Sequence, residues 1–134
     1  MNSTINTFSR PQEIKISFFI MIVATLVGFL DLIIQKIGLS VQNFSFSSLR
    51  DFIFSIVLNL VLFYFIFKRH NWARVILAIL TLLGLAVVPI VLIEELNNDI
   101  IGAVSTLLQA ILLLGMVWLL FTKKVNAWFK TRDI

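Results

Sequence analysis

Four long apolar segments constrain this chain more than any other feature. They cover residues 14–34, 51–67, 75–93 and 100–122, and the third and fourth contain no charged side chain. A helix needs about 20 predominantly apolar residues to cross the roughly 30 Å hydrocarbon core of a bilayer. We therefore expect an all-α fold, an integral membrane bundle of four transmembrane helices.

The composition supports this expectation. Of the 134 residues, 60% are hydrophobic and only 13% are charged, with a mean hydropathy of +1.02. A soluble domain of this length does not need so much apolar surface. Because the four segments account for most of the chain, residues 1–134 are expected to form a single membrane domain, with an interfacial connection over residues 35–50 between the first two helices.

The distribution of charge predicts the orientation. Lys and Arg are disfavoured on the translocated side of a membrane, so basic loops tend to remain cytoplasmic. If both termini are cytoplasmic, the inner side holds Arg10, Lys15, Lys68, Arg69, Arg74, Lys123, Lys124, Lys130 and Arg132, and only Lys36 and Arg50 lie outside. Nine of eleven basic residues on one side is a strong bias, and it predicts that both ends lie in the cytoplasm.

The basic residues fall in short patches beside the apolar segments, which favours lipid headgroups over nucleic acid as their partner. Residues 68–74 form one patch, and the tail over residues 123–134 forms another. In the tail, Val125, Trp128 and Phe129 have the spacing of one helical face, which predicts an amphipathic turn on the membrane surface. Contact with headgroups is predicted for Lys68, Arg69, Trp72, Arg74, Lys123, Lys124, Trp128 and Lys130.

Enzymatic chemistry is not expected. The chain has no cysteine and one histidine, His70, which lies among cations. Thiolate metal sites, thiol catalysis and bis-histidine haem ligation are therefore excluded, and a histidine-based metal site is disfavoured. Without a paired nucleophile or a glycine-rich phosphate loop, the sequence predicts no catalytic, cofactor-binding or metal-binding residue and no cofactor.

Asp31 is the first candidate contact residue, because it lies near the outer end of the first apolar segment. An ionisable group inside a membrane suggests function by default, since its desolvation is costly unless it is paired or hydrated. A carboxylate there could bind a proton or a cationic substrate. The alternative interpretation is that Asp31 forms an ion pair at the membrane interface with Lys36, which lies within two helical turns of it.

A polar pair is the second candidate. Asn59 and Gln109 each lie eight or nine residues from the outer end of their segment, so the two amides could meet at one depth. Amides in hydrocarbon need hydrogen-bond partners. Three roles remain open for this pair. The amides could make contacts within the bundle, make contacts between subunits, or form a polar site that faces a substrate.

Glu94, Glu95 and Asp99 belong to an acidic sequence that is predicted to form a tight outer loop. They are candidate contact residues on the outer surface. As oxygen ligands they could also hold a divalent cation, although three acids in a loop are more often simply solvated charges.

A resemblance follows from the helix ends. Asn71-Trp72-Ala73-Arg74 opens an apolar helix, and Phe121-Thr122-Lys123-Lys124 and Ala127-Trp128-Phe129-Lys130 close the chain. In this layout the chain resembles small four-span bacterial inner-membrane proteins known mostly as domains of unknown function. The resemblance implies a bacterial inner (cytoplasmic) membrane and brings no activity or site residues with it.

Two functional classes are weighed. We expect a non-enzymatic protein that acts through contacts with another membrane protein, or through self-association, and is similar in type to accessory or membrane-embedded immunity proteins. The alternative is a subunit of a small oligomeric transporter or channel. Small multidrug-resistance transporters resemble the chain only in layout, because their essential acidic residue lies where this first segment has apolar residues, Thr25 and Gly28.

Overall fold

The computed structural model describes residues 10–38 and 46–130, and in these ranges all regular secondary structure is helical. The predicted all-α class is thereby confirmed. The helices are α1 (Gln12–Lys36), α2 (Phe46–Phe67), α3 (Asn71–Asn98), α4 (Ile100–Leu120) and α5 (Lys123–Lys130). The first four are long and apolar enough to cross a membrane.

Two helix boundaries differ most from the sequence-based ones, each by five residues. Helix α2 includes residues 46–50, which had been assigned to the interfacial connection, and residues 39–45 of that connection lie outside the described residues. Helix α3 continues through the acidic sequence to Asn98, so Asp99 alone separates it from α4. The predicted loop is therefore mostly the last turns of α3.

The turn after α3 is stabilised by side chains that bond to backbone. Within the last turns of α3, the Nδ2 atom of Asn97 donates to the carbonyl of Ile93 at 3.0 Å. Asp99 takes an extended conformation (φ −150°, ψ 90°), and its Oδ1 atom accepts from the Gly102 amide at 3.1 Å. Asp99 is thus the N-cap of α4, a position that Asp strongly favours. This cap allows the chain to reverse within one residue.

Successive long helices run in opposite directions. Helix α1 packs mainly against α4, α4 also packs against α3, and α3 packs against α2, whereas α1 and α2 contact each other sparsely. Helices α1 and α3 begin at one end of the bundle, where α2 and α4 finish and α5 lies. We call this the basic end, and we call the opposite end, which holds Asp31, Glu95 and Asp99, the acidic end.

The apolar core lies in the basic half of the bundle. It is formed by Ile14, Met21, Leu62, Phe63, Ile66, Ala73, Leu77, Met116, Leu120, Val125, Trp128 and Phe129. The ring of Phe18 on α1 meets those of Phe63 and Phe67 on α2 edge to face, with centroids 5.4 and 5.3 Å apart. These contacts join α1 to α2 in the basic half.

Candidate functional site

Arg74 is a buried cation at the basic end, although it belongs to the patch of residues 68–74 that the sequence assigns to the membrane surface. Its Nη1 atom donates to the carbonyl of Leu120 at 3.1 Å and to Oδ1 of Asn126 at 2.7 Å, and its Nε atom donates to Oδ1 of Asn71 at 2.6 Å. The guanidinium also lies 4.5 Å from the ring centroid of Phe129. Arg74 therefore ties α3 to the end of α4 and to α5.

Trp128 is buried by the same arrangement. Its ring lies 4.7 Å from the guanidinium of Arg69, and Arg69 donates a hydrogen bond to its backbone carbonyl. Val125, Trp128 and Phe129 are at most 6% exposed. The predicted amphipathic face of α5 is present, but it packs on the protein core rather than on a lipid surface.

The predicted headgroup residues thus fall into two groups. Lys68, Trp72, Lys123, Lys124 and Lys130 are exposed, and headgroup contact stays a prediction for them. Arg69 is half-buried, and Arg74 and Trp128 are buried. Because the side chains of Arg74 and Trp128 are surrounded by protein, this conformation does not offer them to lipid headgroups.

A polar-lined cavity lies in the acidic half, between α1, α2 and α4. Its volume is about 290 Å³, and its lining comes from α1, α2 and α4. The polar lining residues are Thr25, Asp31, Ser48, Ser55, Asn59 and Gln109. Three residues predicted from the sequence, one on each of three helices, therefore border one space.

A second cavity, of about 370 Å³, lies on the other side of α2, against α3 and α4. Both cavities are lined by Ser55, Asn59, Gln109 and Leu113, so they meet at the two amides. We call the two cavities together the polar cleft. It flanks α2 on both sides in the acidic half, and Ser55, the only one of these four that is exposed, lies at its opening.

The two amides border the same cleft without bonding to each other. In the described ranges no hydrogen bond joins Asn59 to Gln109, and the amide of Asn59 lies 3.5 Å from Oγ of Ser55. A methyl group added at Gly28 would lie 3.0 Å from Cε2 of Phe52 and 3.3 Å from Nε2 of Gln109. Gly28 therefore permits the close approach of α1 to both side chains.

Asp31 lies at the rim of the cleft and is half-buried. Its Oδ2 atom accepts a hydrogen bond from Nε2 of Gln35 at 3.1 Å. Within the described part of the chain no ion pair joins it to Lys36, which was the alternative partner.

The three acidic residues at the end of α3 do not share one environment. Glu94 is exposed, whereas Glu95 and Asp99 are 6% and 8% exposed. Both buried carboxylates lie against Gly102 in the first turn of α4. Among the described residues, no group of three or more His, Cys, Asp or Glu side chains is arranged to hold a metal ion.

Several residues of the site are not among those predicted from the sequence. Ser55 lies one helical turn before Asn59, so its place in the cleft follows from the same helix face and was detectable. Thr81 and Thr106 border the second cavity, and their contribution depends on how α3 and α4 pack. The hydrogen bond from Arg74 to Asn126 joins residues 52 positions apart, and no local sequence pattern predicts it.

No protein-family model, no curated protein sequence and no solved structure matches this chain.

Proposed function

We propose that this chain is a multi-pass membrane protein that acts without catalysis, by binding a transmembrane segment of another membrane protein beside α2. One observation carries the proposal: Asp31, Asn59 and Gln109, on three helices, line one cavity in the acidic half of the bundle. A partner segment with a hydrogen-bonding side chain would satisfy these groups.

The energetics of polar groups in lipid support this role. Hydrogen bonds between membrane helices contribute roughly 0.6 to 2 kcal/mol each, because hydrocarbon offers no competing partner. Asn59 and Gln109 border the cleft without bonding to each other. Helix α2 also packs sparsely against α1, so a small movement of its acidic half would widen the opening.

The membrane topology belongs to the same proposal. The large exposed apolar side chains on all four long helices, such as Phe19, Phe54, Ile90 and Trp118, suit a lipid environment. The charge distribution supports a four-helix transmembrane bundle with the basic end and both termini in the cytoplasm. The layout resembles that of small bacterial inner-membrane proteins, which favours the bacterial inner membrane as the location. The exposed lysines of the basic end would then contact anionic headgroups.

A second candidate function is a subunit of an oligomeric transporter or channel. The observation in its favour is the size of the polar cleft, whose cavities of about 290 and 370 Å³ meet at Asn59 and Gln109. Apolar side chains of the core occupy the basic half below the cleft. A continuous polar path would therefore have to run between subunits, which makes this the weaker candidate.

Photo-crosslinking in native membranes tests the proposal. A photoreactive amino acid replaces Ser55, which opens onto the cleft, while both amides remain intact. The matched control carries the same group at Val57, which is 53% exposed and points to roughly the opposite side of α2 at nearly the same depth. We expect position 55 to give an adduct with a second, different membrane protein, and position 57 to give at least about fivefold less of that adduct. The reason is that hydrogen bonds to the two amides would hold the partner on the cleft side of α2 with a free energy on the order of 1 kcal/mol or more, which corresponds to about a fivefold difference in occupancy.

Two outcomes would contradict the proposal. Equal adduct yields from positions 55 and 57 would mean that contact is incidental to crowding in the membrane. An adduct of the chain with a second copy of itself, and with no other protein, would instead favour the oligomeric transporter or channel.

A further inference from the structure

Asp31 is the one charged side chain among the described residues that line the first cavity of the polar cleft. It is half-buried, and its Oδ2 atom accepts one hydrogen bond, from the neutral amide of Gln35 at 3.1 Å. An ionised carboxylate offers about four acceptor positions on its two oxygens. In residues 10–38 and 46–130 no basic side chain forms an ion pair with Asp31. The carboxylate therefore retains acceptor positions beyond the one that Gln35 fills.

Other polar groups of the same cavity also present acceptors. The hydroxyl of Thr25 donates its hydrogen to the carbonyl of Met21 at 2.8 Å, so only the lone pairs of its oxygen remain for a ligand. Asn59 directs its Nδ2 atom to Oγ of Ser55 at 3.5 Å, and its Oδ1 atom receives no hydrogen bond from the described residues. A cavity rich in acceptors suits a binding group that is rich in donors.

The charge of the acidic end favours a cationic donor. Residues 17–67 and 75–122 contain five acidic side chains and only two basic ones, Lys36 and Arg50. Both basic side chains are exposed, and Arg50 bonds to Asp51 at 3.2 Å. Negative charge is therefore in excess at the acidic end, and this excess attracts a basic partner and repels an acidic one.

We propose that the partner segment carries a lysine whose ammonium group pairs with Asp31; this inference rests on the proposed function, the binding of a membrane segment beside α2. An ammonium has three donors and no acceptor, so it suits the acceptors of the cavity. Arginine fits less well, because its bidentate fork would need both oxygens of Asp31, and Oδ2 already accepts from Gln35. Lysine carries its charge on a flexible four-carbon stem, which a cavity of about 290 Å³ accommodates.

The depth of Asp31 predicts where the lysine lies along the partner. Asp31 precedes Lys36, the last residue of α1, by about 7.5 Å along the helix axis. The lysine is therefore expected within about two turns of the end of the partner segment that lies on the acidic side. Ionisable side chains inside a membrane usually pair with one another, because an unpaired charge is costly there. Each of the two charges would thus lower the cost of burying the other.

Crosslinking to synthetic peptides tests this inference without knowledge of the natural partner. The full chain, with the photoreactive amino acid in place of Ser55, is reconstituted in phosphatidylcholine vesicles. The probes are leucine-alanine helices with blocked ends, of about 21 residues, which is long enough to span the bilayer. One probe carries a lysine about one and a half turns from each end, so that either orientation places one at the depth of Asp31. Matched probes carry norleucine or glutamate at these positions.

We expect the lysine probe to give roughly fivefold or more adduct than the norleucine probe, because a hydrogen bond to a charged group is worth more than a neutral one. Asp31→Asn, which keeps the shape of the side chain, should abolish this preference and leave the norleucine yield unchanged. Glu94→Gln, which removes an exposed charge at the same end, should keep it. Asp31→Lys should favour the glutamate probe, a gain that a misfolded chain would not show.

Three results would overturn the inference: equal yields from the lysine and norleucine probes, a lysine preference that persists in Asp31→Asn, or an equal loss of it in Glu94→Gln. None of these results affects the adduct from position 55 in native membranes. If that adduct forms while the probes give equal yields, the proposed function stands and the lysine does not. Native membranes without the adduct would contradict the proposed function itself, whatever the probes show.

Discussion

The basic and acidic halves of this bundle use polar residues in opposite ways. In the basic half, Arg74 and Arg69 are bonded to backbone carbonyls and lie against aromatic rings beside the apolar core. In the acidic half, Asn59 and Gln109 border a cleft and do not bond to each other. Polar groups that are satisfied internally stabilise a fold, whereas polar groups that face a cavity are available to a ligand or partner.

The comparison changes how a charged patch in a membrane sequence should be interpreted. The strongly charged patch of residues 68–74 is the most conspicuous feature of the chain, yet its member Arg74 is buried and bonded within the protein. The amides of the acidic half are inconspicuous in sequence. If the comparison is right, substitutions in the basic half lower stability, and substitutions in the acidic half lower binding.

The largest effect on stability is expected for Trp128→Ala. Trp128 is 6% exposed and packs in the core with Phe129, so its removal leaves a large cavity and frees α5. Truncating a buried tryptophan typically costs about 3 to 5 kcal/mol. Equilibrium unfolding in detergent measures the change. The control, Trp72→Ala, removes an exposed tryptophan and should cost less than about 1 kcal/mol. Equal losses would show that α5 is not docked.

A smaller loss is expected for Arg74→Met. Methionine keeps much of the apolar stem but leaves the carbonyl of Leu120 and the amide of Asn126 without their donor. Losing a charged donor of buried acceptors costs about 1.5 to 3 kcal/mol. The same unfolding experiment measures it, with Lys123→Met as an exposed control that should change stability by less than about 0.5 kcal/mol. A neutral result for Arg74→Met would assign this cation to the membrane surface after all.

Much of the fold was predictable, because its physical cause is local. Apolar length alone predicts four helices, and the spacing of Val125, Trp128 and Phe129 predicts the face of α5. The helix ends were harder. Turn-forming residues after Ile93 suggest a loop, but α3 continues to Asn98, and the side chain of Asp99 then accepts from the Gly102 amide to start α4. Such bonds depend on side-chain geometry that composition does not reveal.

The site was predictable only in part. Equal depth brought Asn59 and Gln109 together as candidates, and both line the polar cleft. Depth does not reveal which way a helix faces. Likewise, the spacing in α5 predicts an apolar face but not what that face contacts, so the predicted contact with lipid is wrong and the face packs against the protein core. Nor does it separate Glu94, which is exposed, from the adjacent Glu95, which is buried. These distinctions come from long-range packing between helices far apart in sequence.

The double substitution Asn59→Leu with Gln109→Leu should have the smallest effect on stability and the most selective effect on function. Neither amide bonds to the other, and leucine suits a lipid-facing or cavity-lining position, so unfolding should change by less than about 1 kcal/mol. Crosslinking from position 55 should fall roughly tenfold or more, because two amide contacts of about 0.6 to 2 kcal/mol each are lost. Glu94→Gln, an exposed change, should lower it less than twofold. Equal and negligible effects of both variants would remove the amides from the binding site and leave the polar cleft without a role in partner recognition.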